Sequence, residues 1–186
     1  MDPDLHMPIS IAAVLIVTSA ATTTFSTASN ITDLLSLLSF RSLLSDPDQT
    51  LTSWSSNSSL HFCQWHGISC HISGQIQSLH LRNFDLAGPL SPALSNLSSL
   101  TELDLSINNF HGGIPSALGR LHNLQLLNLS WNAFSRAIPA NLSRCSTLRI
   151  LYLNYNKLER QIPAELGSSS MLRLLNLGNN NQWRNT

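Results

Sequence analysis

Charge is scarce in this chain. Only 11% of its 186 residues are charged, and the ten basic side chains balance the ten acidic ones. Nucleic-acid-binding domains usually carry a basic face, so we expect no nucleic-acid partner. Hydrophobic residues make up 42% of the chain, which is too many for an intrinsically disordered protein. The composition therefore predicts a folded domain that does not bind through a strong electrostatic field.

The sequence also lacks a recognisable catalytic constellation. Its seven histidines are scattered, and none has a serine or cysteine partner at an interpretable spacing. Glu102 and Asp104 lie on one predicted strand, where we expect their carboxylates to face opposite sides or to be skewed apart. There is no Gly-rich phosphate loop and no His-Arg-Asp catalytic loop. We expect neither enzymatic activity nor a cofactor.

Cysteines are few. Cys63 and Cys70 lie close enough in sequence for a disulfide, which would stabilise a secreted chain by roughly 2–3 kcal/mol. The alternative is a zinc site formed by His61, Cys63, His66, Cys70 and His71, but these residues lack a C-x₂-C pair. The third cysteine, Cys145, is predicted to be a buried free thiol, with an intermolecular bridge as the alternative.

No apolar run is long enough to span a membrane. The apolar stretch Ile9–Ala21 falls short of the ~20 residues that a spanning helix needs, and small residues follow it. It predicts a signal peptide over residues 1–28, cleaved after Ala28, although Met1–Pro8 carries no basic residue. An uncleaved anchor is the alternative. We therefore expect a secreted or cell-surface protein.

What the sequence does contain is a repeat. The pattern L-x-x-L-x-L-x-x-N begins at Leu100, Leu124, Leu148 and Leu172, with a period of 24 residues. Ile-Pro pairs follow at a fixed offset, and a weaker copy begins at Ile76. A constant period with these columns predicts a leucine-rich-repeat solenoid, in which stacked coils share one core.

Each column of the repeat has a physical role. The alternating leucines predict one parallel strand per repeat with one buried face, and thus an α/β, right-handed solenoid. We expect the side-chain amides of the asparagine column to bond to the backbones of adjacent coils. Gly88 and Gly112 suit corners with a positive φ. These asparagines are Asn108, Asn132, Asn156 and Asn180.

A helix is predicted ahead of the repeats. Residues 31–44 have a broad leucine face, formed by Leu34, Leu35, Leu37, Leu38 and Leu44. Thr32 is predicted to cap this helix, Asp33 to lie in its first turn, and Asp46-Pro47-Asp48 to follow its end. We expect the helix to cover the open end of the solenoid, with Trp54 and Trp65 in the core of the cap. A partner-binding or membrane-surface helix is the alternative.

The segments Thr32–Arg41, Leu51–Trp54 and Cys63-x-Trp65-x-Gly67-Ile68-x-Cys70 resemble the plant-type amino-terminal cap of leucine-rich-repeat receptors. The repeats resemble the plant-specific class. The resemblance implies the ectodomain of a plant leucine-rich-repeat receptor-like kinase of the immune-receptor type. Such an ectodomain binds a peptide, a protein ligand or a co-receptor ectodomain at the cell surface, and takes part in plant defence and signal transduction.

In that family a transmembrane helix and a Ser/Thr kinase domain follow the ectodomain, so we expect membrane attachment only through a segment absent from this chain. The alternatives are a free-standing secreted inhibitor of a microbial wall-degrading enzyme and a non-functional truncated receptor fragment. The chain stops at Thr186, partway into its fifth repeat. It also departs from the family pattern at Phe84, which replaces an asparagine, and at Arg136 and Arg160, which replace glycines. We expect those two corners to relax or differ.

We expect three regions. They are a signal peptide at 1–28, a cap at 29–75, and repeats at 76–99, 100–123, 124–147, 148–171 and 172–186.

The residues between the strand leucines are expected to form an outward face, on which Ser106 and Ser130 also lie. Exposed aromatics dominate many recognition surfaces, so we expect Trp131, Tyr152 and Tyr155 to form a binding cluster. Packing against neighbouring rungs of the sheet is the alternative. The predicted ligand-binding residues are Arg82, Glu102, Asp104, Asn128, Trp131, Tyr152, Asn154 and Tyr155.

Five N-x-[ST] sequons are candidates for glycosylation. They are at Asn30, Asn57, Asn96, Asn128 and Asn141. The sequon at Asn128 conflicts with the predicted binding face, because a glycan there would block the surface beside Trp131.

Overall fold

The computed structural model describes residues 28–159 and 161–181. The predicted signal peptide, apart from Ala28, and the corner at Arg160 lie outside the described residues, as do residues 182–186.

A six-stranded sheet forms one side of the described chain. Its first pair is antiparallel, and each later strand lies parallel to the one before it. Ser78 pairs with Glu102, Glu102 with Leu126, and Leu126 with Ile150, so the register advances by one 24-residue repeat per strand. This confirms the predicted solenoid with one parallel strand per repeat. In order, the strands are β1 (Ile68–Cys70), β2 (Ile76–His80), β4 (Glu102–Asp104), β6 (Leu126–Asn128), β8 (Ile150–Tyr152) and β10 (Leu174–Asn176).

The return arm of each coil carries structure that the sequence did not predict. Its extended parts form a second parallel sheet, and a short helix follows in each of four coils. The strands are β3 (Ala87–Pro89), β5 (Asn109–Gly112), β7 (Ala133–Arg136) and β9 (Lys157–Leu158). The helices are three 3-10 turns, Pro92–Asn96, Ser116–Arg120 and Ala140–Arg144, and the short helix α2 (Ala164–Gly167); a further 3-10 turn, Phe62–Gln64, lies in the cap.

One continuous core fills the space between the two sheets. The strand leucines such as Leu103, Leu127 and Leu151 are fully buried. Phe110 and Phe134 stack with their ring centroids 6.2 Å apart, and Phe40 of the cap extends the stack at 5.9 Å from Phe110. The cap is thus packed into the same core as the coils, as expected for a structure that covers an open solenoid end.

The asparagine column ties adjacent coils together, as predicted. Asn156 is buried; its Oδ1 accepts the backbone N–H of Phe134 at 2.9 Å, and its Nδ2 donates to the carbonyls of Leu129 and Leu153 at 2.9 and 3.2 Å. The same pattern recurs at Asn108, Asn132 and Asn180. Each amide therefore satisfies backbone groups of its own coil and of the preceding one.

The cap helix differs from the prediction at both ends. Helix α1 spans 28–41, so Thr32 is not its cap; the Thr32 hydroxyl instead donates to the carbonyl of Ala28. Asp33 is only 2% exposed and accepts the backbone N–H of Ile76 at 3.0 Å, which joins the helix to β2. Leu35 is 60% exposed and so does not belong to the packed face, which is formed instead by residues such as Leu37 and Phe40.

The cysteines follow the prediction. Cys63 and Cys70 form a disulfide with their Cα atoms 5.5 Å apart, so neither is available as a zinc ligand. Cys145 is a free, fully buried thiol that donates to the carbonyl of Leu118 at 3.3 Å. Burial raises the pKa of this thiol to about 11, which leaves it protonated and unreactive.

The corner at Arg136 keeps a positive φ, so the expected relaxation did not occur. Gly88 and Gly112 have φ values of 144° and 80°, and Arg136 keeps a positive φ of 69°. The second sheet holds Arg136 in place, since its carbonyl accepts the backbone N–H of Glu159 at 3.0 Å. Pairing with the next coil thus outweighs the preference of a non-glycine residue for negative φ.

Candidate functional site: the strand face and its edge

One column of residues along the edge of the strand face has a left-handed backbone in every coil. Its φ values lie between 54° and 59°. Hydrogen bonds to the next coil accompany this geometry in the first four coils. For example, the N–H of Trp131 donates to Asn154 O at 3.0 Å, and the N–H of Tyr155 donates to Gly178 O at 2.9 Å. Asparagine tolerates the left-handed region, whereas bulky residues rarely occupy it. The column consists of Asn83, Ile107, Trp131, Tyr155 and Asn179.

Two aromatic residues of this edge column form an exposed stack. The rings of Trp131 and Tyr155 lie 3.7 Å apart at their centroids with 14° between their planes, yet 51% and 40% of the residues remain exposed. Tyr152 lies half-buried on β8, and the described part of the chain shows no ring contact between it and this stack. The structure therefore brings together two of the three aromatics that the sequence grouped.

The first rungs of the face are polar. His80 Nε2 lies 3.1 Å from Glu102 Oε2, and both side chains are about half exposed. Asp104 accepts the backbone N–H of Ser106 at 2.9 Å and the amide of Asn128 at 3.2 Å. Glu102 and Asp104 lie on the same face, which corrects the expectation of opposite faces. Their different partners agree with the alternative that the two carboxylates are skewed apart. Arg82 is exposed beyond the end of β2.

Three residues expected on the outward face are buried. Asn128 is only 9% exposed; its Oδ1 accepts the N–H and the hydroxyl of Ser130 at 3.1 and 2.7 Å. Ser106 and Ser130 are also buried. The two serines are buried because β4 ends at Asp104 and β6 at Asn128, so the in-and-out alternation stops before either serine. Asn154 is half-buried at the equivalent place in the next coil.

A groove of about 580 Å³ runs beside the Trp131–Tyr155 stack. Asp48 and Asp85 line it, and neither was predicted as a site residue. Asp85 and Asn109 could have been found, because they belong to one 24-residue column. Asp48 could not, because it comes from the loop after the cap helix. The groove is lined by Asp48, Asn83, Asp85, Ile107, Asn108, Asn109, Trp131, Asn132, Ala133 and Tyr155.

The sequons occupy different settings. Asn57 and Asn96 are exposed, Asn30 and Asn141 are half-buried, and Asn128 is buried. Glycosylation of all five stays a prediction.

A disulfide-linked cap, parallel coils and an exposed polar-and-aromatic face define a leucine-rich-repeat recognition module. The family model described as "Leucine rich repeat N-terminal domain" matches residues 30–71, and the one described as "Leucine Rich Repeat" matches 99–121, 123–145 and 147–169. The chain belongs to the family of plant leucine-rich-repeat receptor ectodomains. Ectodomains of this family are extracellular, non-catalytic binding modules.

Similar proteins come from Arabidopsis thaliana. The chain is 45% identical over 80 residues to "Protein MALE DISCOVERER 2", across 42% of this chain but only 12% of that protein. It is similar to a chain in the crystal structure of the BIR3–SERK2 complex, with 37% identity and a TM-score of 0.75, over 80% of this chain and 82% of that one. A third match is the ectodomain of GASSHO1/SCHENGEN3 in complex with CASPARIAN STRIP INTEGRITY FACTOR 2. The identity is 31% and the TM-score 0.75, over 80% of this chain and 18% of that one.

Across residues 28–159 and 161–181, no helix combines the length and the hydropathy needed to cross a membrane.

Proposed function

We propose that this chain is the ligand-recognition part of a plant leucine-rich-repeat receptor and that its strand face binds a peptide or the ectodomain of a partner receptor. The observation that carries the proposal is the Trp131–Tyr155 stack, because large aromatic side chains left exposed beside a rigid sheet are typical of binding hot spots.

The similar structures support both kinds of ligand. One contains the BIR3–SERK2 pair, and another is an ectodomain in complex with CASPARIAN STRIP INTEGRITY FACTOR 2. The free-standing inhibitor gains no support from these relatives. We propose that the chain has no enzymatic activity of its own, and that 29–75 and 76–186 act as cap and recognition coils.

The proposed binding surface has two parts. Arg82, Glu102 and Asp104 supply charge at the first rungs. The later rungs supply Tyr152, the half-buried Asn154 and the aromatic stack. Asn128 contributes mainly by orienting Asp104, because its own side chain is buried. A rigid support is useful here, since side chains fixed by a sheet lose little entropy when they bind.

The test uses the secreted chain immobilised on a sensor, with the SERK2 ectodomain and a displayed library of short random peptides as probes. We expect at least one probe to bind, and Trp131→Ala and Tyr155→Ala each to weaken that binding by about tenfold. Leu60→Ala is the matched control, because Leu60 is an exposed apolar residue of the cap away from the face.

Circular dichroism establishes that each variant folds. If neither probe binds, or if folded Trp131→Ala and Tyr155→Ala proteins bind as the unaltered chain does, the proposed function is wrong.

A further inference from the structure

We propose that the groove beside Trp131 binds a basic side chain, an arginine or lysine of the peptide or partner protein. The cation lies in the groove against the exposed Trp131 indole and close to Asp85. This inference rests on the proposed function and specifies which ligand side chain binds at the edge of the strand face.

Part of the Trp131 indole is open to a ligand, because Trp131 is 51% exposed and lines the groove. Tyr155 covers one side of Trp131, because it occupies the same column in the next coil. Ile107 and Asn83 precede Trp131 in that column and line the groove with it. Strands about 4.8 Å apart place Trp131 roughly 10 Å from the coil that carries Asp85. That distance accommodates a guanidinium or ammonium group in contact with both.

The charge of the groove is negative and uncompensated. Its lining contains Asp48 and Asp85 but no lysine, arginine or histidine. Asp85 Oδ1 accepts the amide of Asn109 at 2.7 Å. The ion pairs among the described residues are Arg41–Asp46 and His80–Glu102, so neither groove carboxylate has a cationic partner there. Lys157, which follows Ala133 in its 24-residue column, does not line the groove.

The aromatic stack and the carboxylates select the same ligand chemistry. A cation placed over the face of tryptophan is attracted by the negative face of the ring, and tryptophan is the best such platform among the side chains. Ionised carboxylates strengthen that preference. A neutral sugar could stack on the same ring but would leave both carboxylates without a counter-charge.

The backbone gives a second, independent reason to assign a function to this position. The edge column is left-handed in every coil, and Asn83 and Asn179 suit that conformation. Trp131 and Tyr155 do not suit it, and their rings remain exposed instead of filling the core. Residues that break a local structural preference outside the core are expected at functional sites.

The first experiment selects short peptides from a random display library on the secreted chain and removes those that also bind Trp131→Ala. We expect the remaining peptides to contain a shared arginine or lysine. Replacing that arginine with citrulline, which is neutral and nearly the same shape, should weaken binding by about tenfold. For a lysine, acetylation serves the same purpose.

The second experiment removes the charge from the protein. Asp85→Asn should weaken the same peptides by about tenfold, and Asp48→Asn should weaken them less, since Asp48 lies on the cap loop. Glu165→Gln is the matched control, because Glu165 is an exposed carboxylate on α2 outside the groove and should leave affinity unchanged.

The outcomes separate this inference from the proposed function. Trp131-dependent peptides that lack a basic residue, or that tolerate citrulline and Asp85→Asn, overturn the inference and leave the proposed function intact. A neutral chito-oligosaccharide that binds in a Trp131-dependent way, when no peptide does, assigns the groove to carbohydrate and also overturns it. If no Trp131-dependent ligand of any kind is found, both proposals fail.

Discussion

Two neighbouring columns of the solenoid follow different rules. In four coils the inner column is asparagine, and each amide makes bonds that only asparagine can make there. The column immediately before it is held in one backbone conformation, yet its side chains are unrelated: Asn83, Ile107, Trp131, Tyr155 and Asn179. The fold therefore dictates the side chain at the inner position and only the backbone at the edge. Side chains in the edge column can therefore vary, and so determine which ligand is recognised, without disturbing the coil.

The sharpest test of the inner column is Asn156→Leu. The change takes away the side-chain acceptor of the Phe134 N–H. It also removes one bond each from the carbonyls of Leu129 and Leu153, which keep their bonds to Asn132 and Asn180. One unsatisfied buried N–H together with two further lost hydrogen bonds should lower the free energy of unfolding by about 4 kcal/mol. Urea unfolding followed by circular dichroism measures the change.

Asn123→Leu is the control, because Asn123 is exposed and makes one bond to the carbonyl of Ser98. A loss below 1 kcal/mol, roughly that of a surface change, for Asn156→Leu would show that the inner column does not hold the coils together.

The next effect in size comes from the strand itself. Leu127 is fully buried, whereas its neighbour Leu126 lies half-buried on the outward face. Leu127→Ala should cost about 3 kcal/mol through lost burial and the cavity left behind. Leu126→Ala should cost less than about 1 kcal/mol. Equal losses in the same unfolding assay would contradict the assignment of inner and outer faces.

At the edge column, stability and binding should separate. Trp131→Asn removes the stack on Tyr155, which costs about 1 kcal/mol. It also places a residue that suits the left-handed backbone, which offsets about 1 kcal/mol. We expect the free energy of unfolding to change by less than about 1 kcal/mol while ligand binding is lost. A large loss of stability would instead make the stack a structural element of the sheet.

The smallest expected effect is at Asp33, and it depends on pH. Burial raises the pKa of this carboxyl above its ordinary value, although the N–H of Ile76 acts in the opposite direction. The folded state therefore retains the proton to a higher pH than the unfolded state, so stability falls as pH rises between the two pKa values.

Asp33→Asn keeps an acceptor for Ile76 and removes the ionisation. We expect it to be slightly more stable than the unaltered chain at pH 7 and no different well below the ordinary carboxyl pKa. Urea unfolding at both pH values provides the measurement. A lower stability of Asp33→Asn at neutral pH would reverse the sign of this effect.

Most of the fold could be predicted from the sequence because the residues that make each contact recur at the same position in every repeat. The leucine and asparagine columns, the solenoid and the Cys63–Cys70 bridge are confirmed. The second sheet and the 3-10 turns were missed, since short return arms held by pairing with the next coil have little periodicity of their own. Ser106 and Ser130 were placed on the wrong side because the strands end earlier than the alternating pattern suggests.

Only part of the candidate site could be predicted from the sequence. Trp131 and Tyr155 could be grouped because they are 24 residues apart in one column. Asp48 could not be placed beside them, because no pattern relates the cap loop to the edge of the coils. The burial of Asn128 was also missed, since it depends on bonds to Asp104 and Ser130 that cross from one coil to the next.

The inter-coil bonds have a consequence for how such a chain can change over time. Bonds such as that from Asn156 to Leu129 join coils by the same rule in each repeat, so the number of coils is not fixed by any unique contact. Removing 124–147 as a unit would let Asn156 take over the partners of Asn132. It would also set Tyr155 beside Ile107. Gain or loss of a single repeat therefore changes which side chains are neighbours on the recognition surface, while the architecture persists.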